Sequence, residues 1–361
     1  MATINYSCPN CGGKLVFDAG KQKFFCEWCL SDFTQEDLDR IFGVQNGENG
    51  TADKPPETMG NADSASQDSF SGGTNLYICD SCGAEIIAEE NTAATFCYYC
   101  HSPVALSGRL SGSYCPQKVI PFKKTKEQAI GGFKEWCGKK WFLPNSFTSD
   151  AQLEKITGLY VPFWIADCKI KAHLEGEARI VTTTRTSSKT ITHTKLFNVE
   201  RSAETEYKGV PADASKKLDD ALMDSIEPFD YNELVKFSMS YLQGFYADKY
   251  DVEKKDLVPR IKKRITEGAT QLMLNDIKGY TTVSPRQTNV DLLNTDWHYI
   301  MLPVWFMSYD YKGKKYFYAM NGQTGKFSGF MPVSTVKSAV AGLLAALITF
   351  LIVLGIGAVV L

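Results

Sequence analysis

Four CxxC pairs stand in the first hundred residues, and they form two copies of one unit. Cys8-Pro9-Asn10-Cys11 is separated by fourteen residues from Cys26-Glu27-Trp28-Cys29, and Cys79-Asp80-Ser81-Cys82 by the same fourteen from Cys97-Tyr98-Tyr99-Cys100. A shift of seventy-one residues lays Tyr6 on Tyr77, Gly12 on Gly83, Leu15 on Ile86, Val16 on Ile87 and Phe25 on Phe96. A tetrahedral thiolate centre needs two tight turns, each presenting two sulfurs, and a chain that brings the turns together. In the first copy Lys14–Phe17 reads as a strand, Asp18-Ala19-Gly20 as a turn and Gln22–Phe25 as the return strand. The second copy repeats this with Glu85–Ala88, a polar turn around Asn91, and Ala93–Phe96. Gly12 and Gly13 follow Cys11, where a metal knuckle calls for a residue that tolerates positive φ.

A unit this short cannot bury enough apolar surface to fold alone. Structural zinc supplies roughly 10–16 kcal/mol of apparent binding energy near neutral pH. Two structural Zn2+ ions are therefore expected, one on Cys8, Cys11, Cys26 and Cys29, the other on Cys79, Cys82, Cys97 and Cys100. Four thiolates leave no open position for a catalytic water, and a redox CxxC would open a helix in a βαβ setting, which is missing here. His101 is a bystander to a complete ligand set. Cys137 shares an apolar stripe with Ala129, Ile130, Phe133 and Trp136 and reads as a small buried hydrophobe, while Cys115 and Cys168 have no neighbouring histidine to activate them.

The expected organisation is multidomain: two small β zinc ribbons (1–42 and 76–105), a Gly-, Asn- and Ser-rich tether between them (43–75), an α+β globular domain (116–333) and one C-terminal transmembrane α-helix (339–361). The tether makes the ribbons independent beads. Within the domain, Thr125-Lys126-Glu127-Gln128 signals a capped helix, and Gly158–Ile165 and His193–Tyr207 read as strands. Asp213 is expected to cap a helix bearing Leu218, Ala221, Leu222 and Ile226, and Asp230 to start another. Val258–Ile277 reads as a longer helix with Ile261, Ile265, Ala269 and Leu272 inward. His298–Tyr311 and Lys314–Met320 read as strands, and Asn321-Gly322 as a hairpin turn rather than a phosphate loop, since the GxxxxGK[ST] spacing is absent. Pro162 and Pro303 lie inside aromatic strands, which implies an edge or a bulge at each.

Residues 339–361 carry no charge, and fourteen of them are Leu, Ile, Val or Phe. As a helix they span about 34 Å, enough for a hydrocarbon core of about 30 Å. Thiolate ligands persist in a reducing compartment, and Lys326 and Lys337 precede the span. The expectation is a single-pass cell-membrane protein with its N-terminal body in the cytoplasm.

These residues resemble the bacterial TFIIB-type zinc-ribbon membrane proteins, a family often mislabelled as primosomal replication helicases. The resemblance rests on Cys8-Pro9-Asn10-Cys11-Gly12, Val119-Ile120-Pro121-Phe122-Lys123, Gly158-Leu159-Tyr160-Val161-Pro162-Phe163-Trp164 and Gly244-Phe245-Tyr246-Ala247. Relatives of that type are encoded near phage-shock and SPFH-type proteins, which implies a scaffold for envelope-stress partners. With no Walker A loop, helicase activity has no phosphate cradle. The function expected is a non-enzymatic adaptor that recruits membrane or cytosolic proteins to the bilayer. The alternative is a membrane-tethered nucleic-acid binder. Against it stand a net charge of -2 and the absence of any cation between Cys79 and Cys100. The strongest basic cluster is Arg260, Lys262, Lys263 and Arg264. His173, His193 and His298 are isolated, so no nucleophile–base set points to an enzyme.

Overall fold

The computed structural model describes residues 3–4, 7–42, 74–78, 85–89, 92–96, 103–106 and 114–360. It is an α+β protein with several sheets and an apolar C-terminal helix. The chain divides into two compact units: residues 1–161, 217–249 and 301–361 form the first, and 162–216 and 250–300 the second. The segment 116–333 therefore contributes to both.

In the first unit, short strands follow the order Thr3–Ile4, Pro103–Leu106, Thr92–Phe96, Tyr246–Asp248 and the opening residues of the long strand Thr157–Arg185. The 304–311 end of Thr282–Tyr311 pairs with Lys314–Asn321, which pairs in turn with Phe327–Gly329. The helix Lys126–Gly138 begins as its sequence dictates. Gln128 N donates to Thr125 Oγ1 (3.3 Å) and Thr125 N donates to Gln128 Oε1 (3.1 Å), closing a capping box, and Ala129, Phe133 and Cys137 face inward.

At the centre of this unit Phe122 stacks on Phe245, ring centroids 4.1 Å apart, with Tyr160 and Trp305 edge-on at 5.1 and 5.0 Å. Two glycines make room: a Cβ on Gly158 would lie 2.5 Å from the Phe245 ring, and one on Gly322 would lie 2.7 Å from the Phe122 ring. The hairpin expected at Asn321-Gly322 is present, but its left-handed residue is Gly325 (φ +81°). Asn321 is buried and ties the turn to its surroundings. Its side-chain amide donates to the carbonyls of Ile226 and Pro228, and its Oδ1 accepts from the amides of Gln323 and Thr324.

In the second unit Phe163–Arg185 pairs antiparallel with Thr190–Asp213, with one irregularity at Ala166/Cys168. The helix Lys254–Asp276 packs along Thr190–Asp213. Its inward stripe is Leu257, Ile261, Ile265, Ala269 and Met273, each four residues from the last; Leu272, expected inward, is exposed. Asp213 is not a helix cap. It ends a strand, fully buried, and accepts from Arg260 Nη1 at 2.8 Å, while the short helix Asp220–Ser225 is capped by Asp219. Asp230 caps only a single 3₁₀ turn, Tyr231–Glu233.

Both prolines lie on interior strands of the sheet, and the described ladders show no register shift at either. Each sits one residue before an antiparallel ladder begins, at Phe163↔Asp213 and at Val304↔Asn321. Each proline carbonyl accepts from the residue after its partner strand: Ala214 N donates to Pro162 O (2.9 Å) and Gly322 N to Pro303 O (2.8 Å). The missing amide thus falls where that ladder needs no donor.

Thr335–Val360 forms a single helix, the one helix among the described residues long and apolar enough to cross a membrane. From Val340 to Ile352 its large apolar side chains are exposed on every face.

Candidate metal centre

Leu15–Asp18 and Lys23–Cys26 form the expected hairpin, in the register Leu15↔Cys26 to Asp18↔Lys23, and Asp32–Phe33 adds a third strand. The hairpin delivers Cys26 beside the first turn. The Sγ atoms of Cys8, Cys11, Cys26 and Cys29 all lie within 4.8 Å of one another, and the pairs Cys8–Cys29 and Cys11–Cys26 are 3.5 Å apart. A tetrahedral site with metal–sulfur bonds of about 2.3 Å places its sulfurs about 3.8 Å apart. The four cysteines fit such an ion.

The two turns share one geometry eighteen residues apart. Cys8 N donates to Gly13 O and Gly12 N to Cys8 O; Cys26 N donates to Ser31 O and Leu30 N to Cys26 O. The repeat explains a strained residue. Gly12 has φ +72°, and Leu30, its counterpart, has φ +60°. Sequence reading passed over Leu30 because it is not glycine, although the spacing from Cys29 marks it. It also passed over Ser31. That hydroxyl lies 3.3 Å from Cys29 Sγ; with the Ser31 backbone amide and then the Cys11 thiol, it pulls the Cys29 thiol down to about 6. Burial pushes Cys8 the other way.

The hairpin is not an independent bead. Phe17 and Phe24 pack on Tyr241 at 5.4 and 5.8 Å, Phe17 N donates to Gln243 O, and Gln22 Nε2 donates to Phe122 O at 2.6 Å. The helix Gln35–Phe42 buries Leu38, and the Gln35 side chain bonds the hydroxyls of Ser238 and Ser240.

Cys79, Cys82, Cys97 and Cys100 lie outside the described residues. The strands beside them repeat the first copy at the seventy-one-residue offset. The bridge Ser7↔Lys14 recurs as Ile78↔Glu85, and Phe24↔Phe33 and Phe25↔Asp32 recur as Thr95↔Val104 and Phe96↔Pro103. The hairpin expected between Glu85–Ala88 and Ala93–Phe96 is not among the described pairings. Glu85–Glu89 pairs with Thr74–Ile78, and Thr92–Phe96 with Pro103–Leu106 and Tyr246–Asp248.

The uncharacterized protein YdjG of Bacillus subtilis (strain 168) is 34% identical to this chain over 336 residues, 93% of the chain and 92% of the relative. The chain belongs to the YdjG family. No protein-family model matches it, and no solved structure does. In this YdjG-family chain, three of the motifs that carried the resemblance meet in the aromatic centre: Phe122 from the first, Gly158 and Tyr160 from the second, Phe245 from the third. They are packing residues. The basic cluster divides similarly, because Arg260 pairs with buried Asp213 and Arg264 Nη1 donates to Pro211 O (2.6 Å), leaving Lys262 and Lys263 on the exposed face.

Proposed function

We propose that this chain is a membrane-anchored zinc-ribbon adaptor that gathers protein partners at the cytoplasmic face of the cell membrane. The observation that carries the reading is an open arm in the second unit. Residues 181–198, on two paired strands and the turn between them, are exposed throughout; Ile191 and Leu196 project among threonines, while Phe197 leans on Tyr280 (ring centroids 5.4 Å) and Val181 N donates to Thr281 Oγ1. Strand surface of this kind suits recruitment of another chain. An all-thiolate set at mononuclear spacing favours zinc in the first ribbon and leaves no position for substrate. The repeated pairings support a second zinc on Cys79, Cys82, Cys97 and Cys100. Helix Thr335–Val360 supports the anchor, and thiolate ligands favour a reducing, cytoplasmic setting for the body.

Two arginines of the basic cluster are bound within the fold, which weakens the nucleic-acid alternative. The test compares the full chain, purified from membranes in detergent, with the Ile191→Ser/Leu196→Ser variant. The adaptor reading expects co-purifying proteins to be lost with the arm and fluorescence-anisotropy titrations with DNA to stay flat at physiological salt. Sub-micromolar DNA binding that weakens steeply with salt and disappears in Lys262→Gln/Lys263→Gln overturns it.

A further inference from the structure

The loop after helix Lys126–Gly138 turns a tryptophan outward and is fastened to the first turn of the apolar helix. Trp141 is 86% exposed, and Phe330 and Val333 beside the same helix start are 60% and 59% exposed. The loop has a fixed shape. Lys140 N donates to Cys137 O, Leu143 is buried, Ser334 N donates to Phe142 O (2.7 Å), and Lys337 Nζ donates to Leu143 O (2.7 Å) and Asn145 Oδ1 (2.8 Å).

We infer that this loop is a second membrane contact, with Trp141 and Phe142 seated in the lipid headgroup layer and Lys140 facing anionic headgroups. The inference rests on the reading that helix Thr335–Val360 spans the bilayer. Geometry then sets the depth. The Phe142 carbonyl is level with Ser334, five residues before the apolar run opens at Ala339, or about 7.5 Å along the axis at 1.5 Å per residue. The polar layer on each side of the hydrocarbon is about 5–8 Å thick. Tryptophan at that level occupies the aromatic belt, its ring in the apolar boundary and its N–H in the wet layer. The charges agree. Lys139 is paired with Glu135 (2.9 Å), whereas the exposed Lys140 has no ion pair among the described residues. A lone apolar patch on a soluble surface would suggest a protein partner. Here the backbone and lysine bonds to the helix start hold the patch at the bilayer surface, and that continuity selects lipid.

The experiment uses the full chain reconstituted into phosphatidylcholine vesicles, with or without phosphatidylserine, and with acyl chains brominated near the headgroup. The Trp141 signal is the difference in emission between wild type and Trp141→Phe. Quenching of that difference by brominated lipid, with weak quenching by aqueous acrylamide, is the expected result. In phosphatidylserine vesicles Lys140→Gln should weaken the quenching of the Trp141 signal by brominated lipid, with no change in phosphatidylcholine alone. A Trp141 signal open to acrylamide and untouched by brominated lipid overturns the inference, as does one shielded from both, which would mean a protein contact. Carbonate extraction of the same vesicles separates the two readings. Chain that resists carbonate with Trp141 unquenched refutes the loop contact alone, whereas chain released by carbonate refutes the spanning helix and the loop contact with it.

Discussion

Replacing Gly322 with alanine separates two reasons for a glycine after Asn321. Gly322 is not among the residues with positive φ, and where space is open such a substitution stabilises by about 0.4–1 kcal/mol. Here the added Cβ would meet two ring carbons of Phe122 at 2.7 Å and Cβ of Pro303 at 2.9 Å, well inside the ordinary contact distance of about 3.5–4.0 Å. Neither neighbour can retreat easily: Phe122 is stacked on Phe245, and the Pro303 carbonyl is bonded to the Gly322 amide. We expect a cost in the upper half of the range for overpacking, about 2–3 kcal/mol. Gly325→Ala, at φ +81°, should cost about 1–2 kcal/mol through its backbone instead, since its Cβ meets only the flexible Lys124 side chain. In a Phe122→Leu background the Gly322→Ala cost should shrink by at least about 1 kcal/mol, while the Gly325→Ala cost stays within about 0.5 kcal/mol. Urea-dependent pulse proteolysis of the full chain in detergent reads all the differences. A neutral or stabilising Gly322→Ala, or additivity with Phe122→Leu, would refute the packing argument.

The purified chain should carry two zinc ions by elemental analysis, and Cys8→Ser should lose one while speeding hydrogen exchange around Tyr241 and Gln243; bound iron with visible absorbance would rule out the zinc assignment. Leu30→Gly should relieve about 1 kcal/mol of left-handed strain and slow zinc loss to a chelator about fivefold, and an unchanged rate would count against the matched-turn geometry. Arg260→Ala should destabilise the second unit by about 3 kcal/mol, through the buried Asp213, and Lys262→Ala by less than about 0.5 kcal/mol. Equal effects in proteolysis would show that the ion pair does not hold the strand end. The same comparison warns that a DNA-binding test using alanine at all four basic residues would confuse unfolding with lost contacts.

What was legible in the sequence was local. The Cys8–Cys29 spacing encodes two turns and a hairpin within twenty-two residues, and the Thr125 capping box is written in four, so both appear where expected. Asp213 misled because a helix-cap residue and the buried end of a strand look alike in sequence, and its partner Arg260 stands forty-seven residues away. Leu272 stands three residues after Ala269, a spacing that fits an inward helix face as well as four does. The helix keeps a four-residue step from Leu257 to Met273, which only its packing against Thr190–Asp213 selects. The docking of the first hairpin was invisible for a similar reason. Phe17 and Gln22 are ordinary hairpin residues until the fold sets Tyr241, Gln243 and Phe122 beside them.

That docking places a constraint on how the chain is born. Gln243 leaves the ribosome 226 residues after Phe17, which at 5–20 residues per second is a delay of about 11–45 seconds. The strand Thr3–Ile4 likewise waits for Ala105 and Leu106. Through that interval the first hairpin has its own short strands and its four cysteines, with no docking face to lean on. A metal ion held by those four cysteines would matter most during synthesis, keeping Phe17, Phe24 and Gln22 arranged until their partners emerge. Were those cysteines left empty at that stage, Tyr241 would meet a less ordered surface when it emerged.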